Sequence, residues 1–391
     1  MSSFSRRLLS VFGNAIMHTD DFAFDSRFKK EFLFMPNQPR PKKKRKPAPA
    51  KAAFRVPRAV KLAVADLLLI AVGLLIFAYF HHVRPEAYSM DDVIVVPHPM
   101  ATLAPMQAVT PSPLETATLA PDASPTPTPT PAPTIDPNDW GAKFAEHFTS
   151  GEVEKTDTSY RSRDVSITIE QHKNDDTVWF VADIYLRNVE SYRTALARDV
   201  FGKGYHEWPA KMAAEKNAIL AISGDYCGAR TKGVAVRNGV VYRKTTFKDV
   251  CLLYYDGVME TMHAKQFNAD AAIERGVYQA FSFGPALLDE NGKALEEYDT
   301  EIERANPRCA IGYYEPGHYC FVVADGRQSG YSYGLTIQQL GKVFEDLGCK
   351  AAYNLDGGKT AVMVFDGKIV NNPAEGGRKI SDIVYIGEVA E

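Results

Sequence analysis

The chain has 391 residues, of which 45% are hydrophobic, so it can hold one large domain or two small ones beside non-globular segments. Its formal net charge of −3 gives no reason to expect nucleic acid or another highly charged macromolecule as a partner. The charge is unevenly distributed, because basic residues crowd residues 1–60 while the rest of the chain is acidic on balance.

An apolar run at residues 61–83 is long enough to cross a bilayer as a helix, at about 1.5 Å of rise per residue. Asp66 interrupts it about one turn from its start, where a carboxylate costs much less than at the centre. The run starts too late and is too long for a secretory signal peptide, so we interpret it as a retained anchor in contact with membrane lipid. The positive-inside rule then places residues 1–60, a basic segment that we expect to be disordered, in the cytoplasm and the remainder of the chain outside.

Residues 84–139 are rich in proline, threonine and alanine and end in SPTPTPTPAPTIDP. This composition cannot form a core, and proline-rich stretches favour extended polyproline II. We therefore interpret the segment as a semi-rigid extracytoplasmic linker.

Residues 140–391 have the pattern of a folded domain. Short or alternating apolar runs predict strands at residues 165–170, 178–186, 218–222, 239–242, 251–255, 277–283, 309–314, 319–324, 351–355, 362–365 and 380–386. The clearest helix is predicted at residues 336–347, where Thr336 and Gln339 form a capping box, and residues 212–216 belong to a shorter one. Strands dominate and helical crossovers are scarce, which predicts an α+β domain with a largely antiparallel or mixed sheet and few helices.

The five cysteines all lie in this domain, with no C-x-x-C pair. Their spacing argues against a structural zinc site, and an odd number argues against a disulfide framework. We expect them to be small buried residues.

Four segments place glycine beside polar residues at the ends of predicted strands: AISGDYCGAR, FSFGPALL, NPRCAIG with VVADGR, and YNLDGGKTAVM. Each one alone is compatible with an ordinary turn. The last is the most informative, because a hydrophobic strand runs directly into Asp356, Gly357 and Gly358 and another apolar run follows. Paired glycines let a backbone approach a bound group closely, as phosphate-binding loops do.

Taken together and in order, SGDY, FGPAL, NPR with CAIG, VADGR and NLDGG followed by MVFDGKIVNNP resemble the phosphodiester glycosidase family. This family includes N-acetylglucosamine-1-phosphodiester α-N-acetylglucosaminidase and bacterial surface proteins linked to exopolysaccharide. The resemblance covers roughly residues 165–386. It implies hydrolysis of a sugar that is joined through its anomeric carbon to a phosphodiester.

Carried over position by position, the resemblance implies roles for the polar residues of these motifs. It implies catalytic roles for Asp225, Asp325 and Asp356. It implies substrate or phosphate binding by nine further residues: Ser223, Gly224, Arg308, Arg327, Asn354, Gly357, Gly358, Lys359 and Thr360.

Two departures from the family pattern involve three residues. Ser223 stands where the family usually has asparagine, and Lys359-Thr360 stands where it usually has glycine or serine followed by serine. Serine reaches less far than asparagine, and Lys359 adds a cation beside the site. Either change could alter substrate preference or lower activity.

The implied chemistry suits these residue types. Glycoside cleavage commonly uses one carboxyl group to donate a proton and another to stabilise or attack the anomeric carbon, which pairs Asp356 with Asp325 or Asp225. A phosphate leaving group is weakly basic, so charge stabilisation matters more than protonation, and Arg308 and Arg327 could supply it in bidentate fashion. The aspartates could also hold Ca²⁺ or Mg²⁺, although no spacing is diagnostic and the metal ligands stay undefined.

These observations predict a membrane-anchored extracytoplasmic hydrolase that cleaves a sugar-1-phosphodiester in a cell-surface glycan or polymer. Two alternatives stay open: a surface module that binds such glycans without cleaving them, and a structural protein of the envelope. The departures at Ser223 and Lys359 motivate the binding module. The sugar, the group attached to its phosphate and the stereochemical course cannot be deduced from the sequence.

Overall fold

The computed structural model describes residues 57–88, 93–98 and 139–389. Residues 1–56 of the predicted basic segment and residues 99–138 of the predicted linker lie outside the described residues.

The predicted membrane span is helical. Helix α1 (Arg58–Ala78) has 21 residues, about 31 Å at the usual rise, and a π-helical turn, Tyr79–Val83, follows it. None of the residues of α1 is buried in the described structure. By length and composition this helix can cross a membrane, as an anchor or as a signal sequence.

Four further α-helices are short: α2 (Trp140–Lys143), α3 (Pro209–Glu215), α4 (Ala269–Glu274) and α5 (Ile337–Asp346). The first ten strands are β1 (Glu86–Ala87), β2 (Ile94–Val95), β3 (Glu154–Lys155), β4 (Ser159–Arg161), β5 (Val165–Lys173), β6 (Val178–Leu186), β7 (Tyr192–Leu196), β8 (Gly202–Lys203), β9 (Leu220–Ser223) and β10 (Ala235–Arg237). The others are β11 (Val240–Arg243), β12 (Val250–Tyr254), β13 (Met259–Met262), β14 (Val277–Phe281), β15 (Arg308–Glu315), β16 (His318–Ala324), β17 (Ala351–Asn354), β18 (Met363–Phe365), β19 (Lys368–Ile369) and β20 (Asp382–Ile386).

The strands form three main sheets. Their orders are β17-β15-β16-β6-β5-β4-β3, β13-β12-β14-β10-β11-β2 and β19-β18-β9-β20-β7, and β1 pairs separately with β8. The pairs between these described strands are antiparallel. The predicted fold class, a largely antiparallel sheet structure with few helices, is therefore confirmed.

All eleven predicted strands overlap strands of the structure, and both predicted helices are present as α3 and α5. The capping box is formed as predicted, with the Thr336 side chain accepting from Gln339 N and the Gln339 side chain accepting from Thr336 N. Sequence analysis missed shorter strands such as β7 and β10. Each of these carries an arginine that interrupts the apolar pattern on which strand prediction depends.

Part of the predicted linker segment contributes to the sheets. Strand β1 pairs with β8, and β2 adds to the edge of β11, where Val240 lies opposite Val95. Val96, directly after β2, is buried in the core of this sheet. The chain is therefore bound to the folded domain before residue 139, which was the predicted end of the linker.

Strands β15, β16 and β17 of the seven-stranded sheet are buried on both faces along most of their length. Along β16, Tyr319, Phe321 and Val323 point into the largest core cluster, which also takes in side chains of the other two main sheets. The intervening Cys320 and Val322 face a second cluster that contains the apolar stripe of α5. Burial on both faces fixes the ends of β15, β16 and β17, where the predicted site residues lie.

Candidate active site

The ends of three strands from two sheets meet at one place. Asp356 N, after β17, donates to Gly224 O, after β9, at 3.0 Å. Leu355 N donates to Cys309 O at the start of β15 at 2.8 Å. Gly358 N donates to Pro307 O at 2.9 Å. These main-chain bonds join three of the predicted motifs, although they are far apart in sequence.

Both glycines after Asp356 are required by this close approach. A Cβ atom at Gly357 would lie 2.6 Å from Pro307 O, which is closer than any real Cβ contact. Gly358 has a φ of +71°, and a Cβ there would lie 3.2 Å from Nη2 of Arg327. The glycine pair thus lets the loop pass between a main chain and a guanidinium group.

Asp356 is the predicted site residue with the least compensated charge. It is 9% exposed, and its Oδ2 atom is buried without a hydrogen-bond partner. Nη2 of Arg378 lies 3.7 Å from that oxygen. Burial raises the pKa of Asp356 to about 6, although the Arg378 charge acts in the opposite direction. A carboxyl group in this setting is poised to gain or lose a proton near neutral pH.

A pocket of about 550 Å³ opens beside this loop. It is lined by Arg327, Gly357, Gly358, Lys359, Glu375, Gly377 and Arg378. Three of these side chains are cationic and one is anionic, and Lys359 is ion-paired with Glu375 across the lining. Nε of Arg327 donates to Asn306 Oδ1 at 3.0 Å, which orients its guanidinium group. The pocket therefore gathers four of the residues predicted to bind phosphate and gives them a net positive charge.

Asp225 is buried in a compensated network. Nη2 of Arg237 lies 2.5 Å from its Oδ1 atom, and the N–H groups of Cys227 and Ser282 donate to its two oxygens at 3.1 and 2.9 Å. Burial opposes ionisation, but the Arg237 charge and the Ser282 N–H hold the pKa of Asp225 below its usual value. Both carboxylate oxygens of Asp225 thus accept hydrogen bonds from groups of the protein.

Asp382 completes that network. Its two oxygens accept from the N–H groups of Asp225 and Tyr226, at 3.0 and 3.1 Å, and Arg237 Nη2 lies 3.6 Å away. Burial, together with the neighbouring Asp225 charge, raises the pKa of Asp382 to about 6. A Cβ atom at Gly224 would collide with the Asp382 carboxylate, which accounts for the glycine at this predicted site position.

Asp325 is buried at the end of β16 and is also well hydrogen-bonded. Tyr331 Oη and Asn371 Nδ2 each donate to it at 2.8 Å, and Asn372 N donates to both of its oxygens. Burial raises the pKa of Asp325, against the effect of these donors. The bonds to Asn371 and Asn372 connect the VADGR motif to the NNP motif.

The remaining predicted binding residues contact mainly the main chain. Arg308 is 3% exposed, and its guanidinium donates to the carbonyls of three residues of the neighbouring loops: Ile302, Arg304 and Leu335. Asn354 donates to Gly284 O at 2.8 Å, while its Oδ1 atom is buried without a partner. Ser223 Oγ donates to Thr360 O, and Thr360 Oγ1 donates to Gly357 O at 2.6 Å. These bonds hold the loop around Asp356 in shape.

A second cavity of about 570 Å³ lies between β13 and the segment after β14. Its charged lining is mainly acidic, and none of the predicted site residues lines it. An anionic substrate is repelled by such a surface. The pocket beside Asp356 is therefore the better candidate for the active site.

Comparison with known proteins agrees with the motifs. Residues 216–387 match the phosphodiester glycosidase family. The resemblance predicted from the sequence is thus confirmed, over a segment that starts after β8 and contains the whole of the site described above. The match supports a glycosidase-type hydrolase.

Sequence identity to an individual relative is low. The chain is 29% identical over 185 residues to the SPbeta prophage-derived uncharacterized protein YomE of Bacillus subtilis (strain 168). The aligned segment covers 45% of this chain and 29% of that protein. The chain thus spans under a third of that relative.

Two solved structures are similar to parts of the fold. The catalytic domain of zebrafish N-acetylglucosamine-1-phosphodiester alpha-N-acetylglucosaminidase, auto-inhibited by its pro-peptide, is 19% identical with a TM-score of 0.47, over 57% of this chain and 83% of that one. A hypothetical protein from Synechocystis is 11% identical with a TM-score of 0.45, over 61% of this chain and 64% of that one.

Within residues 216–387, one group of side chains has the composition of a metal site. Ligand-type atoms of Asp225, Cys227 and Asp382 lie within 4.8 Å of one another. Arg237 already supplies a positive charge there, 2.5 Å from Asp225, and a thiol is not a ligand that Ca²⁺ or Mg²⁺ prefers. This group therefore does not suit either of the cations considered from the sequence.

Sequence analysis missed three residues that shape the domain's site: Arg237, Arg378 and Asp382. Arg378 follows a glycine pair in AEGGRK, which is the same signal that drew attention to Asp356, but no apolar strand precedes it. Asp382 begins β20 and Arg237 ends β10, where a charged residue usually faces solvent. Nothing local in the sequence indicates that these two side chains are buried together.

Proposed function

We propose that this chain is a membrane-anchored extracytoplasmic glycosidase that cleaves a sugar-1-phosphodiester in a cell-surface glycan or polymer. The observation that carries the proposal is the position of Asp356. Its Oδ2 atom accepts no hydrogen bond and lies 3.7 Å from Nη2 of Arg378, which lines a cationic pocket together with the glycine pair that follows Asp356.

The pocket suits a phosphodiester. Such a group carries one negative charge, and the side chains of Arg327, Lys359 and Arg378 present three positive ones against the single carboxylate of Glu375. Guanidinium groups contact phosphate oxygens in pairs, which orients the group as well as attracting it. The lack of side chains at Gly357 and Gly358 leaves room for a ligand to approach the loop.

In the proposed reaction the ionised carboxylate of Asp356 faces the anomeric carbon, either as the attacking group or as the base that activates water. The bond between the anomeric carbon and the phosphate oxygen breaks, and the phosphate leaves toward the cations of the pocket. Because phosphate is a weakly basic leaving group, stabilisation of its charge by Arg327 and Arg378 can replace much of the work of a proton donor.

One observation favours the alternative of a glycan-binding module. Of the three predicted catalytic aspartates, Asp225 and Asp325 have both oxygens hydrogen-bonded to the protein, whereas Oδ2 of Asp356 accepts no hydrogen bond. Glycoside hydrolysis commonly needs two carboxyl groups near the scissile bond. A single available carboxylate in a cationic pocket is compatible with binding alone.

Turnover separates the two functions. Full-length protein in detergent would be incubated with an N-acetylhexosamine-1-phosphodiester in water enriched in oxygen-18, and the products followed by mass spectrometry. We expect a free sugar that carries the label, because the bond on the sugar side breaks. Asp356→Asn should lower kcat about 10²- to 10⁴-fold, whereas Asp175→Asn, an exposed aspartate in the β5–β6 turn, should leave it unchanged.

Other outcomes decide against the proposal. Label in the phosphate product would show cleavage on the phosphorus side, and full activity of the Asp356 variant would remove that residue from the mechanism. Binding of the substrate without turnover, weakened by Arg378→Met, would establish the glycan-binding module. If the protein neither binds nor cleaves the substrate, the remaining hypothesis is a structural protein of the envelope.

The membrane topology is part of the proposal. It is supported by the length and composition of α1 and by the basic residues that precede it. Protease added to intact cells should cut the chain to a fragment of about the size of residues 140–391 on a denaturing gel, because the proline-rich linker is then accessible from outside. Protection of that domain until the membrane is permeabilised would overturn the topology without affecting the proposed chemistry.

A further inference from the structure

Two cysteines of the domain lie in direct contact. Sγ of Cys320, in β16, is 3.7 Å from Sγ of Cys349, which follows α5. Both residues are buried, with exposures of 0% and 2%. All five cysteines lie within the described residues, and no other pair has its sulfur atoms within hydrogen-bond distance.

The main chain holds both residues firmly. Cys320 lies in the middle of the seven-stranded sheet, opposite Gly312 on one side and Asp183 on the other. Cys349 N donates to Phe344 O at 3.1 Å, and Gly348, with a φ of +78°, closes the end of α5 before it. The contact between the sulfur atoms is therefore set by a central strand and by the short turn that main-chain hydrogen bonds attach to the end of α5.

Space for a covalent bond is present. To form the bond, the sulfur atoms must approach from 3.7 Å to about 2.0 Å. A Cβ atom at Gly312 would lie only 2.7 Å from Cys320 Sγ. The glycine therefore leaves Cys320 room that any other residue at this position would take.

We infer that Cys320 and Cys349 form a disulfide bond when the domain folds in an oxidising compartment. The reaction is an exchange with a disulfide-containing oxidant. One thiolate attacks the oxidant and forms a mixed disulfide, and the second displaces the remaining thiol of the oxidant. The two cysteines lose two protons and two electrons, and the oxidant leaves as two thiols.

The bond should form while the chain folds. In the native state burial raises the pKa of Cys320 well above its ordinary value, so the reactive thiolate is scarce once the core has closed. Cys227, Cys251 and Cys309 are equally buried but lack a sulfur neighbour, and we expect them to stay thiols. This pattern, one bond and three thiols, agrees with the odd number of cysteines.

The bond would tie the candidate site to the sheet. The two cysteines are 29 positions apart, and the loop between them carries Asp325, Arg327 and α5. Closing this loop restricts the unfolded chain and stabilises the wall of the pocket on which Arg327 lies. The inference does not depend on the proposed activity, because it rests on the sulfur contact alone.

The test counts thiols in the full-length protein. Protein refolded in detergent with oxidised and reduced glutathione would be denatured, alkylated and digested without reduction, and the peptides identified by mass spectrometry. We expect three alkylated cysteines and one linked peptide that joins Cys320 to Cys349. Five alkylated cysteines, or a link between other cysteines, would overturn the inference.

Matched variants separate the bond from general effects of substitution. Cys251→Ser should keep the linked peptide, whereas Cys349→Ser and Cys320→Ala should each abolish it and leave four alkylated thiols. The melting temperature of the oxidised protein should exceed that of the reduced protein by roughly 5–15 °C in the wild type and in Cys251→Ser, and by nothing in the other two. An equal shift in all four proteins would contradict the stabilising role of this bond.

Discussion

Two buried aspartates, Asp225 and Asp356, occupy similar places and have opposite environments. One residue separates each of them from the end of a strand, and Gly224 precedes Asp225 as Gly357 follows Asp356. Asp225 is paired with the buried Arg237, and its oxygens accept from main-chain N–H groups. Asp356 has a buried oxygen with no hydrogen bond and a guanidinium group no closer than 3.7 Å.

The difference separates a buried carboxylate whose charge the protein neutralises from one whose charge it neutralises only in part. Burial of a carboxylate is tolerated when a cation and hydrogen bonds replace water, and the network of Asp225, Arg237 and Asp382 meets that requirement. Asp356 meets it incompletely, so its pKa rises instead. Buried groups with incomplete hydrogen bonding cluster in enzymes at sites where a bound substrate supplies the missing partner. We therefore interpret Asp225 as structural support and Asp356 as the reactive group.

The largest effect that tests this contrast is removal of Arg237. Arg237→Met leaves the carboxylates of Asp225 and Asp382 buried without a cation, which should lower the free energy of unfolding by about 3–5 kcal/mol. Urea unfolding followed by the fluorescence of the tryptophans, all in the domain, would measure it. Lys244→Met removes an exposed ion pair with Asp270 and should cost about 1 kcal/mol or less. Equal effects of the two variants would contradict a structural role for the Arg237 network.

Substitution of Asp356 is expected to change the free energy of unfolding in the opposite direction. Its pKa is raised to about 6 in the folded state, so between pH 4 and pH 6 the folded chain binds more protons than the unfolded chain and stability falls as the pH rises. Asp356→Asn removes this penalty and should stabilise the protein at pH 8 by about 3 kcal/mol, with the gain vanishing below pH 4. Urea unfolding at pH 4, 6 and 8 would measure it, with Asp175→Asn as a control that shows no such trend. A variant that is less stable at pH 8 would mean that Asp356 supports the fold.

The sequence predicts the part of this contrast that rests on neighbouring residues, but not the part that rests on contacts between residues far apart in the chain. The loop of Asp356 could be found because an apolar strand runs directly into a glycine pair, and the strand ends could be expected to meet because five motifs matched one family. The burial of Arg237 could not be predicted, because Arg237 ends a strand of the six-stranded sheet while its partners Asp225 and Asp382 lie just after and within strands of the five-stranded sheet, and only the folded structure brings them together. The same holds for Arg378, which lies in a loop without strand pattern and reaches Asp356 through space.

The catalytic state of Asp356 should be visible in the pH dependence of the proposed activity. If the ionised carboxylate acts on the substrate, kcat/KM should fall about tenfold per pH unit below pH 6 and level off above it. The Arg378 charge lowers the pKa of Asp356, so Arg378→Met should move this limb to higher pH by about one unit or less. Activity that instead declines above pH 6 would assign Asp356 the role of proton donor.

The smallest effect concerns the ion pair in the lining of the pocket. Glu375 neutralises Lys359 and is the one carboxylate among the lining side chains, so it competes with an anionic substrate for that cation. Glu375→Gln should lower KM about threefold and leave kcat unchanged, because the Glu375 side chain is 71% exposed and its pair with the partly exposed Lys359 is weak. Glu274→Gln, an exposed glutamate at the end of α4, makes the same change of charge away from the pocket and should alter neither constant. The gain in the Glu375 variant should shrink as salt is added, since screening weakens the attraction of the released lysine for phosphate. A gain that persists in high salt would show that the substitution acts through the shape of the loop and not through its charge.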